Sequence, residues 1–195
     1  MKSICVYCSS SDAVDTAYFE VARELGAFIA ACGCALVYGG ARRGLMGTLA
    51  RAVQGGGGRV VGVIPAALRD RGIAYDAADE LIVTSDLRER KAIMEARADA
   101  FIALPGGFGT LEELLEVLTL RQLQTHTKPI VLLNVQGFYD PLMAVFEHFY
   151  RARFAKPVRD LYYLAPDVAG VFAYLDAYVP VAAPGKWFTS GERNS

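Results

Sequence analysis

Short apolar runs alternate with amphipathic stretches along most of the 195-residue chain, and this alternation limits the folds open to it. The apolar runs are rich in β-branched residues, and we predict strands at residues 3–7, 35–38, 60–64, 80–84, 100–103 and 130–133. These runs are apolar nearly throughout, as expected of strands that are covered on both faces. The stretches between them have helical spacing and predict helices at residues 15–31, 45–54, 87–97, 111–124 and 141–151.

Strands that alternate with helices predict a parallel sheet covered by helices on both faces. The fold class is therefore α/β, with a single open, doubly wound, Rossmann-like sheet. One domain is expected over residues 1–180, ending in a last helix at residues 169–178. Residues 181–195 include Pro, Gly, Ser and Asn without a clear period, and they are expected to form a loose tail.

The composition excludes several classes of protein. A hydrophobic fraction of 53% is too high for a disordered chain. The balance of 20 basic and 21 acidic residues lacks the positive excess typical of general nucleic-acid binders. Every apolar run is interrupted before the roughly 18 residues of a membrane span, and the N-terminus shows no signal-peptide pattern. We therefore expect a cytoplasmic protein that binds neither nucleic acid nor membrane.

The four cysteines form two close pairs, Cys5/Cys8 and Cys32/Cys34. The C-x-x-C spacing of the first pair could indicate a zinc or redox site. However, Cys5 lies in a predicted strand, where a three-residue spacing directs two side chains to opposite faces. No second C-x-x-C and no H-x-x-x-H pair follows. We therefore expect reduced, buried thiols and no metal site.

Three turns should meet at the carboxyl edge of the sheet, where ligands bind in folds of this kind. They comprise residues 8–11, 39–44 and 105–110. Glycines in the last two let a ligand approach backbone amides closely, and a helix N-terminus offers unpaired amides to a phosphate. The glycines could instead serve only as tight turns, but two such turns beside a serine-rich one favour a phosphate-bearing ligand. The P-loop and dinucleotide-binding patterns are absent.

Charged residues beside these turns allow two interpretations. Thr110 and Glu113 have the spacing of a capping box, in which Glu113 would bond the Thr110 backbone, and spacing alone favours this structural role. Alternatively, Glu113 and Glu116 lie one helical turn apart, face the ligand and hold a ribose or an attacking water. Residues 88–91 also have two interpretations. They form a solvated charged turn, or one of their arginines pairs with a phosphate.

Residues 104–113, Leu-Pro-Gly-Gly-Phe-Gly-Thr-Leu-Glu-Glu, match the P-G-G-x-G-T-x-x-E signature of the LOG ("Lonely guy") proteins. Further motifs match in the family's order at residues 37–40, 44–47, 63–65, 89–91, 128–129, 133–134 and 137–141. The sequence resembles this family over nearly its whole length. LOG proteins are cytokinin riboside 5′-monophosphate phosphoribohydrolases that were long mislabelled lysine decarboxylases.

The resemblance implies hydrolysis of the N-glycosidic bond of an adenosine 5′-monophosphate, plain or N6-modified, to free base and ribose 5-phosphate. It implies Arg90 and Glu113 as the catalytic pair, with no metal or organic cofactor, and a homodimer as the assembly. The residues that it implies in substrate binding are Ser10, Gly39, Gly40, Met46, Glu89, Lys91, Gly106, Gly107, Gly109, Thr110 and Glu116.

The sequence departs from the family pattern at Ser9, Ala41, Leu87, Arg88, Leu120 and Gln124. These departures leave the preferred base open, so a broader nucleoside 5′-monophosphate nucleosidase is an alternative. A second alternative is a carrier of a phosphate-bearing ligand such as molybdenum cofactor. A carrier needs the glycine turns but no catalytic carboxylate, so the presence of both Arg90 and Glu113 favours an enzyme.

Overall fold

The computed structural model describes residues 1–158, 160–181 and 187. One sheet contains seven strands: β1 (Ser3–Tyr7), β2 (Ala35–Tyr38), β3 (Val60–Pro65), β4 (Glu80–Thr84), β5 (Ala100–Ala103), β6 (Ile130–Leu133) and β7 (Tyr163–Ala165). Their order is β4-β3-β2-β1-β5-β6-β7, and each pair of neighbours is parallel. Because the chain winds outward from β1 in both directions, the carboxyl ends of β1, β2 and β5 are adjacent at the centre of one edge.

The described residues form seven helices: α1 (Thr16–Ala31), α2 (Gly44–Gly55), α3 (Ala66–Arg69), α4 (Leu87–Arg97), α5 (Phe108–Gln122), α6 (Asp140–Arg151) and α7 (Val168–Ala177). The first six connect successive strands, and α7 follows β7. A single 3₁₀ turn, Val135–Gly137, precedes α6. None of the described helices is both long enough and apolar enough to cross a bilayer.

Alternate residues of the central strands pack against different helices. Ile4 and Val6 of β1 face a cluster that contains side chains of α1, α2 and α7. Cys5 and Tyr7 face the opposite cluster, built with α4, α5 and α6. All four side chains are at most 2% exposed. The sheet is therefore covered on both faces, as the continuous apolar runs predict.

The predicted doubly wound sheet is confirmed, and the six predicted strands are found within one residue of their expected ends. The structure adds β7 and α3, which have three and four residues and are too short to show a period. The last helix begins and ends one residue earlier than predicted. Of the predicted tail, only Val181 and Trp187 lie within the described residues.

Candidate active site

Two of the three predicted turns enclose a cavity of about 340 Å³ at the carboxyl edge of the sheet. Seven of the predicted site residues line it: Ser10, Met46, Arg90, Gly107, Gly109, Thr110 and Glu113. The turn after β2 shapes the cavity indirectly. A Cβ at Gly39 would overlap the guanidinium of Arg90, which lines the cavity. The absence of a side chain at Gly39 therefore lets the arginine cross the end of β2 and reach the cavity.

The Arg90 and Glu113 side chains form an ion pair in the wall of this cavity. Arg90 Nη2 donates to Glu113 Oε1 over 2.7 Å, and the two residues are only 7% and 5% exposed. Arg90 lies in the first turns of α4, which Asp86 caps by accepting from the N–H groups of Arg88 and Glu89. Glu113 lies on α5, so the helices that precede and follow β5 in the chain bring the pair together.

Burial dominates the electrostatics of the Glu113 carboxyl group. Desolvation raises its pKa from 4.5 to about 7, against the opposing effect of the Arg90 guanidinium. The nearby Glu112 carboxylate raises the pKa further, and the Lys91 ammonium lowers it. Glu113 is thus a carboxyl group that can accept and release a proton near neutral pH, which suits a general base.

The capping-box interpretation of Thr110 and Glu113 is wrong. Helix α5 begins at Phe108 rather than at residue 111, so Gly107 is the N-cap residue and Thr110 is the third helical residue. Glu113 is consequently two turns into the helix, too far to reach the backbone at its start, and it bonds Arg90 instead. With no side chain capping α5, the unpaired amides of its first turn are left for a ligand.

Six predicted site residues lie outside the cavity lining: Gly39, Gly40, Glu89, Lys91, Gly106 and Glu116. Three of them have side chains that bond other groups. Glu89 accepts hydrogen bonds from the backbone N–H and hydroxyl of Ser85, both over 2.7 Å. The Lys91 ammonium pairs with Glu112 and, over 2.7 Å, with Glu116 Oε2. Glu116 therefore faces Lys91 at the surface instead of the cavity, against the expectation that it faces the ligand beside Glu113.

Cys8, Ser9 and Ser11 also line the cavity, although they were not predicted as site residues. Their position at the end of a predicted central strand was a signal that could have found them. Asp12 was also missed. Its Oδ1 accepts from the Gly44 backbone N–H over 2.8 Å and so ties the serine turn to the start of α2. Gly44 packs so closely on this turn that a Cβ would overlap the Ser10 backbone.

Within residues 1–158, 160–181 and 187, no group of three or more His, Cys, Asp or Glu residues could hold a metal ion. Cys5 and Cys8 lie in the two opposite core clusters, as their spacing in a strand predicts. All four cysteines are free, but Cys32 is exposed, so the expectation of uniformly buried thiols is wrong for it. Cys32 is the C-cap residue of helix α1, and its thiol donates to Ile29 O over 3.2 Å.

A larger hollow of about 780 Å³ lies between α1 and α2. Alanines and glycines form most of its lining, together with Thr48 and the two arginines Arg23 and Arg51. It contains no carboxylate, so it offers no group to act as a general base. The smaller cavity with the Arg90–Glu113 pair is the better candidate for chemistry.

The comparisons with known proteins agree with this geometry. A family model described as "possible lysine decarboxylase" matches residues 46–175. The cytokinin riboside 5′-monophosphate phosphoribohydrolase LOG of Oryza sativa subsp. japonica is 47% identical over 184 residues, covering 92% of this chain and 74% of that protein. LOG1 of Arabidopsis thaliana, with the same enzyme name, is 43% identical over 191 residues, covering 95% and 90%.

Among solved structures, the molybdenum cofactor carrier protein MCP from Chlamydomonas reinhardtii superposes with a TM-score of 0.69. It is 26% identical, and the match covers 90% of this chain and 97% of that one. The fold is thus shared with a carrier, whereas the much higher sequence identity is with the hydrolases. The family model and the relatives together show that this chain belongs to the LOG family.

Proposed function

We propose that this chain hydrolyses the N-glycosidic bond of adenosine 5′-monophosphates, plain or N6-modified, to free base and ribose 5-phosphate. The relatives that are 43–47% identical over more than nine-tenths of the chain have the name of this activity. The observation that carries the proposal is the buried Arg90–Glu113 pair in a cavity walled by serine hydroxyls and the open N-terminus of α5. Residues 1–180 act together as the catalytic domain.

The cavity has a place for the phosphate and the ribose of such a substrate. The 5′-phosphate binds the amides at the start of α5, around Gly107 and Gly109, together with hydroxyls of the serine turn. This binding holds the ribose beside Glu113 and supplies energy remote from the reacting bond. Among the described residues, the Nε of Arg90 is buried without a hydrogen-bond partner, so the side chain keeps an unused donor next to the cavity.

The reaction needs one water and one carboxylate. As the C1′–N bond breaks, its electron pair leaves with the base, and positive charge develops on the ribose ring as in glycoside hydrolysis. The Glu113 carboxylate stabilises this charge and accepts a proton from the water, whose oxygen forms the new bond to C1′. The departing base takes up a proton, and Glu113 then releases its own to solvent. Arg90 orients Glu113 and favours its ionised form by lowering its pKa against the effect of burial.

Purified protein should release adenine from AMP and the free base from isopentenyl-AMP, as measured by chromatography of the products. Adenosine is the matched control, because it has the same glycosidic bond but no phosphate. We expect kcat/KM for adenosine to be lower by at least about 10²-fold, since phosphate binding positions the sugar. GMP and CMP in the same assay define the base preference. Tight binding of AMP without base release would contradict the proposal and favour a carrier.

We also propose that the chain forms a homodimer in the cytoplasm. Large apolar side chains are exposed beside the site on α4 and α5, with Leu87, Phe108 and Leu115 exposed by 54%, 94% and 42%. A second copy would remove them from water. Light scattering should therefore give twice the chain mass of 21.1 kDa. A mass of one chain at micromolar concentration would contradict the dimer. Four free cysteines are in keeping with a reducing compartment.

A further inference from the structure

The turn between α1 and β2 holds two cysteines in a fixed backbone conformation. Helix α1 ends with Cys32 as its C-cap residue, and Gly33 follows with a φ of +70°. The Gly33 N–H donates to Ala30 O over 3.0 Å, and the Cys34 N–H donates to Ile29 O over 3.2 Å. These two bonds are those of a Schellman motif, in which glycine adopts the left-handed conformation. The turn is therefore tightly defined rather than a flexible loop.

This backbone brings Cys32 and Cys34 within disulfide range. A residue with helical dihedral angles of either hand places the Cα atoms of its two neighbours about 5.4 Å apart, as the helix radius and rise require. Disulfides span Cα separations of roughly 4.4–6.8 Å. The Cys34 thiol also contacts the Cys32 residue directly, since its Sγ lies 3.9 Å from Cys32 O. The Cys32 thiol donates to Ile29 O over 3.2 Å, so its side chain has to leave that carbonyl before the two sulfur atoms can join.

The two thiols differ in exposure and in surroundings. Cys32 is exposed, whereas Cys34 is only 5% exposed. Burial, reinforced by a hydrogen bond with the Cys32 thiol and by the Asp99 carboxylate, raises the pKa of Cys34 to about 12, and the chain's N-terminal ammonium opposes this effect. Cys32 can thus meet a reagent from solvent, whereas Cys34 can readily reach only Cys32.

We propose that Cys32 and Cys34 form a redox-active dithiol that exchanges with low-molecular-weight disulfides such as oxidised glutathione. The Cys32 thiolate attacks one sulfur of the reagent, whose S–S bond breaks and releases one thiolate that takes up a proton. The Cys34 thiol then loses its proton to solvent and attacks Cys32 Sγ, and the second thiol of the reagent leaves. The protein loses two electrons and two protons, and the reagent is reduced to two thiols.

The resulting disulfide should be labile. It closes a ring that contains a single intervening residue, and Cys32 remains at the surface, where a reductant can attack it. Strained or exposed disulfides are the ones with more oxidising potentials. The dithiol lies before the first residue of β2, at the sheet edge opposite the candidate active site. Its exchange is therefore independent of the proposed hydrolase activity.

The test is incubation of the purified protein with oxidised glutathione at pH 8, followed by alkylation and mass spectrometry. We expect the wild-type chain to lose two hydrogens, with the bridge located in the peptide that contains residues 32–34, and dithiothreitol to restore both thiols. Cys5 and Cys8 are buried and should stay reduced in the same sample. Wild-type protein that keeps one glutathionyl group, links two chains or does not react would overturn the proposal.

Two single variants separate the roles of the thiols. Cys34→Ser should stop at the mixed disulfide and retain one glutathionyl group on Cys32. Cys32→Ser should remain unmodified over the time in which wild type reacts fully, because Cys34 is buried. Cys34→Ala replaces Cys34→Ser if the serine variant does not fold, as judged by circular dichroism. Equal modification of both single variants would contradict the assigned order of attack.

Discussion

Replacing Glu113 by glutamine is expected to lower kcat for base release by about 10³-fold, with little change in nucleotide affinity. Glutamine has the shape of glutamate, and its carbonyl can still accept the hydrogen bond from Arg90. What it loses is the negative charge that stabilises the ribose cation and the ability to accept a proton from water. Single-turnover hydrolysis of AMP measures the rate, and calorimetric titration measures binding.

Glu24→Gln provides the matched control, because Glu24 is exposed on α1 and lies far from the cavity. It should hydrolyse AMP at the wild-type rate. A Glu113→Gln variant that keeps wild-type turnover and loses only thermal stability would show that Glu113 has a structural role. That outcome would remove the proposed mechanism while leaving the family assignment intact.

The pH profile gives an independent measure of the same carboxyl group. Because the active form is ionised and its pKa is raised to about 7, kcat/KM should fall about tenfold per pH unit below that value. The Glu113→Gln variant should lack this acidic limb. A wild-type profile that stays flat down to pH 5 would exclude Glu113 as the base.

Arg90→Met is the second substitution with a large expected effect, and it acts on stability as well as on activity. It removes the cation from a buried carboxylate, which costs about 3 kcal/mol or more in other proteins. The pKa of Glu113 in the folded state then rises further above its ordinary value of 4.5. The loss of stability should therefore be large at pH 8 and shrink as the pH falls below about 7, where the Glu113 carboxyl group is also protonated in the folded wild type.

Urea unfolding of Arg90→Met at pH 5 and pH 8 measures this dependence. The double variant Arg90→Met/Glu113→Gln removes the unpaired charge, so it should regain most of the lost stability and lose the pH dependence. Its turnover should stay as low as that of Glu113→Gln. If the single variant were equally destabilised at both pH values, lost packing rather than the buried charge would account for its instability.

The fold could be predicted because its signals are local. Continuous apolar runs mark buried parallel strands, and the helical spacing of the intervening segments marks the crossovers. Residues 8–11 and 105–110 could likewise be placed at one edge, since parallel strands end there together. The short strand β7 has only three residues, so its pairing with β6 depends on tertiary structure and leaves no periodic pattern.

The Arg90–Glu113 pair could not be derived from the spacing of residues alone. Its members are 23 positions apart, and their contact depends on how α4 and α5 are oriented on the sheet. Spacing favoured the capping box at Thr110 because that motif is local. It failed because the helix begins earlier, at Phe108, where flanking glycines permit the turn without a side-chain cap. The resemblance to the LOG family supplied the catalytic assignment that local patterns missed.

The close packing at Gly39 and Gly44 has a consequence for engineering. A single added methyl group would overlap Arg90 at Gly39 and the backbone of Ser10 at Gly44. Variation there would displace the Arg90 side chain or distort the main chain before it altered selectivity. Libraries aimed at new nucleobases should therefore leave these positions constant and diversify exposed side chains of the cavity lining, such as those of Ser10 and Ser11.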